Sequence, residues 1–411
     1  MAGDTATPVV TARVSPKAER FFGAVPKDNA FVVLTGDTLR AFSVTGRKLW
    51  ESESQWFKFS KGQAEGEPPC FNRPGPVALA DSIAVLNCRD WRLALETFSL
   101  AGQRTATVRP VPHDMQNQVG LLDLGRAGDS LVFGYRLAEH LGAEPDKGVL
   151  VFDANLKKLY EHDAWGDSIC CTRDGSVYAR TGRPGKDLEW RRFTPDGKQN
   201  SLPKSVSRYT CVMQPGNDNE VILWGGRNNS AARRPDGSLD SIGLRRIWRP
   251  SQPEAQVIHE FWRSWQGHVV ACEQGRYVLR IWPHSQQEFI CVNLQGKRLW
   301  QHKLTLSRYF WPPMPFGDHN GNAYVMDVVQ DKKTDMHSVV LKCLSPSGKK
   351  TWALAVDQTT GQPVFDSYLS ESGSHVLLVR HDRQSSLGLI FIALPSTDKN
   401  GSNQAIDRDK K

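Results

Sequence analysis

A polar turn followed by an apolar strand recurs eight times along this chain. It appears as "DNAFVVL" from 28, "DSIAVL" from 81, "DSLVF" from 129, "DGSVYA" from 174, "DNEVIL" from 218, "QGHVVA" from 266, "NGNAYV" from 320 and "GSHVLL" from 373. The seven intervals between them run from 44 to 54 residues, the length of a unit of four short strands. A second signal follows each first one, as an apolar strand ending in a polar turn: "AFSVTGRKLW" from 41, "TFSLAGQRTA" from 97, "VFDANLKKLY" from 151, "RFTPDGKQNS" from 192, "ARRPDGSLDS" from 232, "CVNLQGKRLW" from 291 and "CLSPSGKKTW" from 343. Glycines such as Gly46, Gly197, Gly296 and Gly348 supply the positive φ that tight turns need. Each unit therefore reads as an inner strand, two middle strands and an outer strand.

The expected fold is all-β: an eight-bladed β-propeller of four-stranded antiparallel blades, with seven blades as the alternative count. The last unit, "IFIALPSTD" from 390, runs into a polar tail without an outer strand, and "TPVVTARV" at 7–14 precedes the first unit with nothing of its own to pair with. The N-terminal strand is expected to close the ring, because pairing it with the last blade removes two exposed edges. The domain reading is a flexible N-terminus at 1–6, one propeller domain at 7–396 and a disordered tail at 397–411.

The stretches "VNLQGKRLW", "CLSPSGKKTW" and "FSVTGRKLW" resemble the tryptophan-docking repeats of quinoprotein-type β-propellers. That family includes pyrroloquinoline-quinone dehydrogenases and the eight-bladed lipoprotein of outer-membrane barrel assembly, and the chain looks more like the latter. The resemblance implies that Gly46 and Trp50, Gly296 and Trp300, and Gly348 and Trp352 tie neighbouring blades together, with Tyr160 in the equivalent place of the third unit. The units from 97, 192 and 232 depart from the pattern. Elementary packing agrees with this role, since a buried tryptophan contributes roughly 150–250 Å² of contact and an indole N–H that fixes orientation.

Enzymatic readings are weaker. The family's quinone enzymes carry an adjacent-cysteine disulfide, which draws attention to "SICCTRDG" at 168–175, but no calcium ligand set accompanies it. Neighbouring strand residues point to opposite faces, so Cys170 and Cys171 read as free thiols in different layers. "DHNGN" at 318–322 lacks the complete calcium-loop pattern and coincides with a repeat turn. There is no HExxH, no paired CxxC and no GxSxG. No catalytic residue, metal or cofactor is expected. The reading is a non-enzymatic protein-interaction scaffold, the alternative being a quinoprotein-like ligand-binding or degenerate dehydrogenase propeller.

Two stretches that do not repeat are the candidate partner-binding sites. Arg227, Arg233, Arg234, Arg245, Arg246 and Arg249 stand against only Asp236 and Asp240, flanked by Trp224 and Trp248. Arginine and tryptophan are enriched at binding hot spots, so this run is read as a patch for a protein partner with an acidic surface, competing with a plain solvated edge. "HEFWRSWQGH" at 259–268 adds Trp262 and Trp265 in a loop expected before an inner strand. The formal charge of +8, from 52 basic and 44 acidic residues, is too evenly spread to favour nucleic acid. No stretch approaches 18 uninterrupted apolar residues, and the first residues lack a secretory signal's basic and apolar regions. The chain thus reads as cytoplasmic, or periplasmic if a signal segment has been removed.

Overall fold

In a computed structural model, eight four-stranded antiparallel sheets form the blades of a propeller ring. The structure describes residues 8–14, 20–54, 73–89, 92–112, 119–138, 144–182, 189–207, 210, 212–216, 219–233, 239–262, 269–272, 275–281, 288–304, 315–318, 320–330, 336–359, 364–381 and 387–395. Blades 1 to 8 occupy 21–53, 77–108, 119–162, 165–201, 212–262, 269–303, 316–359 and 364–393. The one helix among the described residues is the four-residue Lys204–Ser207 between blades 4 and 5. No helix there is long and apolar enough to cross a membrane.

The ring is closed by the strand Val9–Val14, which pairs antiparallel with Leu387–Ala393 from Val9↔Ala393 to Val14↔Leu389. Thr11 Oγ1 donates to the Phe391 carbonyl at 3.1 Å, and Arg13 Nη2 reaches the Val356 carbonyl of blade 7 at 2.8 Å. Strands far apart in sequence thus share one blade, and the last sheet has an outer strand that the C-terminal residues do not provide.

Middle strands are apolar on both faces because each blade is covered by a neighbour on either side. Val32 and Leu34 of blade 1 meet Ile83 and Val85 of blade 2, while Phe31, Val33 and Phe42 meet Leu389 and Phe391 of blade 8. The core is therefore a series of layers between blades, which accounts for apolar runs such as "FVVLT" where a one-sided sheet would alternate.

The turn joining third and fourth strands has one geometry in six blades. In blade 1 the Ser43 N–H donates to the Arg47 carbonyl at 2.8 Å, the Gly46 N–H to the Ser43 carbonyl at 2.9 Å, and the Arg47 N–H to Ser43 Oγ at 3.1 Å. Asn293, Gly296 and Lys297 repeat it in blade 6, and Ser345, Gly348 and Lys349 in blade 7. A short polar side chain opens the turn and a residue with positive φ ends it. In blade 3 that residue is Leu156, at φ 61° and 5% exposed. Burial of its side chain against the layer between blades 2 and 3 offsets the left-handed strain.

The aromatic residue of one outer strand lies on the turn of the next blade. Trp50 donates from Nε1 to the Leu100 carbonyl at 2.7 Å, and a Cβ at Gly102 would stand 2.7 Å from its indole. Trp300 covers Gly348 in the same way, and Tyr160 covers Gly197. At the seam Ala12 and Phe391 face Gly46, while Gly296 meets the backbone of Val257 and Ile258. Trp352 is half-buried, with its ring 5.8 Å from Tyr324.

Two repeat assignments are corrected. "RPDGS" at 234–238 lies outside the described residues, between the paired middle strands Val221–Arg233 and Leu239–Trp248, and the turn before the outer strand Gln256–Trp262 lies at 249–255. "QGHVVA" leads into the inner strand Val269–Cys272, and the hairpin turn of blade 6 comes at Gly275, φ 66°. Blade 5 has middle strands of 13 and 10 residues, long enough to displace both signals.

Candidate functional site

Part of the arginine run is internal to the fold. Arg245 is 2% exposed and Arg246 is 5% exposed, so neither forms a solvated edge. Arg245 lies in a middle strand opposite Trp224, its guanidinium 4.5 Å from that ring's centroid, with His259 opposite on the other side. Arg246 donates to Thr210 Oγ1 at 2.7 Å and to the Ser205 carbonyl, holding the segment between blades 4 and 5. Trp248 is 2% exposed, packs edge-on to Tyr178 of blade 4, and donates to the Gln252 carbonyl at 2.9 Å.

Arg249 belongs to a latch centred on Glu220. Its Nε and Nη2 donate to Glu220 Oε1 at 2.8 and 2.7 Å, and Tyr277 of blade 6 donates its hydroxyl to Oε2 at 2.6 Å. Burial and the Glu220 carboxylate push the Tyr277 phenol well above its ordinary range. A buried carboxylate needs such partners, because an unpaired charge there is strongly destabilising. Four members of the expected patch are thus structural.

Arg227, Arg233 and Trp262 lie in strands whose backbone alone is described, and Trp262 belongs to an outer strand instead of a loop. Arg234 and Trp265 lie outside the described residues.

Sequence reasoning missed a site on the face where first-to-second and third-to-fourth strand turns emerge. The inner turns of blades 3, 4 and 5 surround a cavity of about 580 Å³, lined by Arg126, Asp129, Cys171, Arg173, Gly216 and Asn219 among others. Hydrogen bonds across the blades fix its walls. Arg126 reaches the Ala78 carbonyl of blade 2 at 3.3 Å and the Gly128 carbonyl at 2.6 Å. The Gly128 N–H donates to the Thr172 carbonyl of blade 4 at 3.2 Å, and the Asp174 N–H to Asn219 Oδ1 of blade 5 at 2.8 Å. Asn219 adopts φ 66°, a left-handed conformation that asparagine tolerates. Arg173 is exposed, with neither hydrogen bond nor ion pair among the described residues. The signal in the sequence was "RDG" at 173–175, which reads as an ordinary turn.

A second concavity, of about 390 Å³, opens toward the other face of blade 3. Glu144, Asp146, Glu161 and Asp163 rim it, and Lys147 lies 3.5 Å from Asp163 and 5.0 Å from the Trp165 ring centroid. Tyr135 lies on its wall, its phenol pushed well up by burial and by these carboxylates. Beside it only residues 163–164 separate blades 3 and 4. Gly134, Gly148 and Gly166 let the backbones cross; a Cβ at Gly134 would stand 2.9 Å from the Gly166 Cα. Lys147 already pairs with one of its carboxylates.

Cys170 and Cys171 are free. Cys170 packs with Tyr178 and Trp190 on the blade 5 side, and Cys171 against the layer between blades 3 and 4. Burial pushes both thiols above the ordinary range, which favours the protonated form. Asp318 of "DHNGN" accepts from the Asn320 and Asn322 N–H groups, both at 2.9 Å, and from the Tyr324 hydroxyl at 2.7 Å. Its oxygens serve the turn. No cluster of three metal-ligating side chains occurs among the described residues.

No family model matches the chain, and no curated protein matches it. Among solved structures it is similar to a prolyl endopeptidase, at a TM-score of 0.46 and 11% identity over 89% of this chain. The chain spans 55% of the length of that protein. It is also similar to the WD40 domain of coronin from Toxoplasma gondii, at a TM-score of 0.38 and 12% identity, covering 96% of this chain and 90% of that one. A protein of unknown function from Bacteroides caccae follows at a TM-score of 0.30 and 10% identity, covering 82% and 94%. At these scores the likenesses carry no functional argument; the propeller rests on the chain's own eight sheets.

Proposed function

We propose that this propeller is a non-enzymatic scaffold that docks a protein partner on the face bearing the inner hairpin turns. The observation that carries the reading is the cavity between the turns of blades 3, 4 and 5, whose walls are latched across four blades before any partner arrives. A rigid, preformed surface binds without the cost of ordering loops. Arg245, Arg246 and Arg249 of the expected patch are consumed by internal stacking and hydrogen bonds, which favours docking on this turn face.

The test is cross-linking with mass spectrometry on the full-length protein in its native extract, combined with sedimentation velocity of the same material. The reading expects a species larger than the 46.0 kDa chain, with heterotypic cross-links concentrated on the inner-turn face. Sedimentation as a monomer throughout, or cross-links confined to the opposite face, would overturn it.

A further inference from the structure

We infer that the cavity between blades 3, 4 and 5 is a carboxylate subsite, filled by an acidic side chain from an extended segment of a protein partner. The inference rests on the scaffold reading and names the chemistry of its contact. Two guanidinium groups, Arg126 and Arg173, line the cavity, and their local carboxylates do not neutralise them equally.

Asp174, next to Arg173 in sequence, is turned to other tasks. Its Oδ2 pairs with Arg192 Nη2 at 3.1 Å, and its Oδ1 accepts from Thr172 Oγ1 at 2.6 Å and the Ser176 N–H at 3.1 Å. Those hydrogen bonds and Arg192 outweigh its partial burial and hold its carboxyl below the ordinary range, so it stays charged and engaged. Asn219, facing from blade 5, is neutral and spends its oxygen on the Asp174 N–H. Among the described residues the Arg173 guanidinium has no hydrogen-bond or ion-pair partner, and Arg173 lines the cavity.

Arg126 has its Nε and Nη1 fixed by the carbonyls of Gly128 and Ala78, which leaves Nη2 for a carboxylate. The occupant of that position is Asp129, 3.4 Å away with a side chain 87% exposed. Such an exposed pair contributes little, and an incoming carboxylate can displace it. Guanidinium forks match carboxylate geometry through paired N–H donors, and a cavity of about 580 Å³ admits one or two side chains.

The test uses a fluorescein-labelled, C-terminally amidated hexaglutamate peptide, followed by anisotropy in low salt. The expected result is saturable binding to the wild-type protein, at least about tenfold weaker for Arg173→Glu, since like charges meeting across a contact are costly. Arg173→Gln should weaken it about threefold, as for one exposed ion pair. Arg47→Glu, an equal charge change in the exposed turn of blade 1, should leave it unchanged. Equal loss in Arg47→Glu and Arg173→Glu would reduce the effect to net charge and overturn the subsite. Absence of hexaglutamate binding would also overturn it, while native complexes cross-linked on the turn face would still uphold the scaffold. A hexaglutamine peptide with a free C-terminal carboxylate tests the source; binding of that probe alone would replace side-chain recognition by chain-end recognition.

Discussion

Replacing Trp300 by alanine should cost about 3–5 kcal/mol, the range for truncating a large buried aromatic. The residue is 9% exposed and packs with Val278, Phe289 and Cys291 of its own blade and with Val325 and Leu344 of the next. Unfolding entropy of about 2.1 cal/mol/K per residue implies about 0.9 kcal/mol/K for a cooperative ring of 411 residues. The expected fall in Tm is therefore about 3–6 °C by calorimetry. Gly348 provides the stricter check, because a Cβ there would collide with the Trp300 side chain and its φ is 79°. Gly348→Ala alone should carry both the collision and a left-handed strain of about 1–2 kcal/mol. In a Trp300→Gly background, which also removes the Trp300 Cβ facing Gly348, the collision disappears and only the strain remains. The double mutant should consequently be more stable than the sum of single effects by about 1 kcal/mol or more. Strict additivity would refute the account of aromatic and turn as one contact between blades.

Removing residues 1–15 should lower the Tm sharply and promote aggregation in light scattering, since the apolar strand "LGLIFIA" would become an open edge; an unchanged Tm would count against ring closure. His259 and His302 are held below their ordinary value of 6.5, chiefly by burial and further by Arg245 and Lys342 respectively. Below about pH 6.5 the unfolded chain then binds more protons than the folded one, so stability should fall with pH, and His302→Gln should flatten the dependence of Tm between pH 7.5 and 5.5.

Most of the propeller was legible in one dimension because its devices are local. A short polar residue, a glycine and a lysine define the turn through hydrogen bonds spanning four residues, as at Asn293–Lys297. Strands covered on both faces must be apolar throughout, as Ala30–Thr35 is. The register failed in blade 5, where "RPDGS" has the composition of the recurrent turn yet falls in the sequence between the two middle strands, and in blade 6, where "QGHVVA" leads into the inner strand. Composition marks a turn, and the lengths of the flanking strands decide where in the blade the signal falls.

The functional candidates were harder to read because an arginine's role depends on what stands opposite it. Arg245 and Arg246 are adjacent and chemically identical, but one stacks on Trp224 and the other holds Ser205 and Thr210. Arg249 meets Glu220, 29 residues away in sequence, and Tyr277 joins them from the next blade. Arg173 looked like part of a turn and stands beside a cavity built by three blades.

The sequence by itself determined the repeat, the recurrent turn and an N-terminal strand in need of a partner, since each follows from hydrogen bonding and apolar patterning within a few residues. The tertiary structure alone decided which charges are buried and which face solvent. That outcome depends on pairs separated by tens of residues, because a charge is stable inside the protein only where the fold brings its partner within hydrogen-bonding distance.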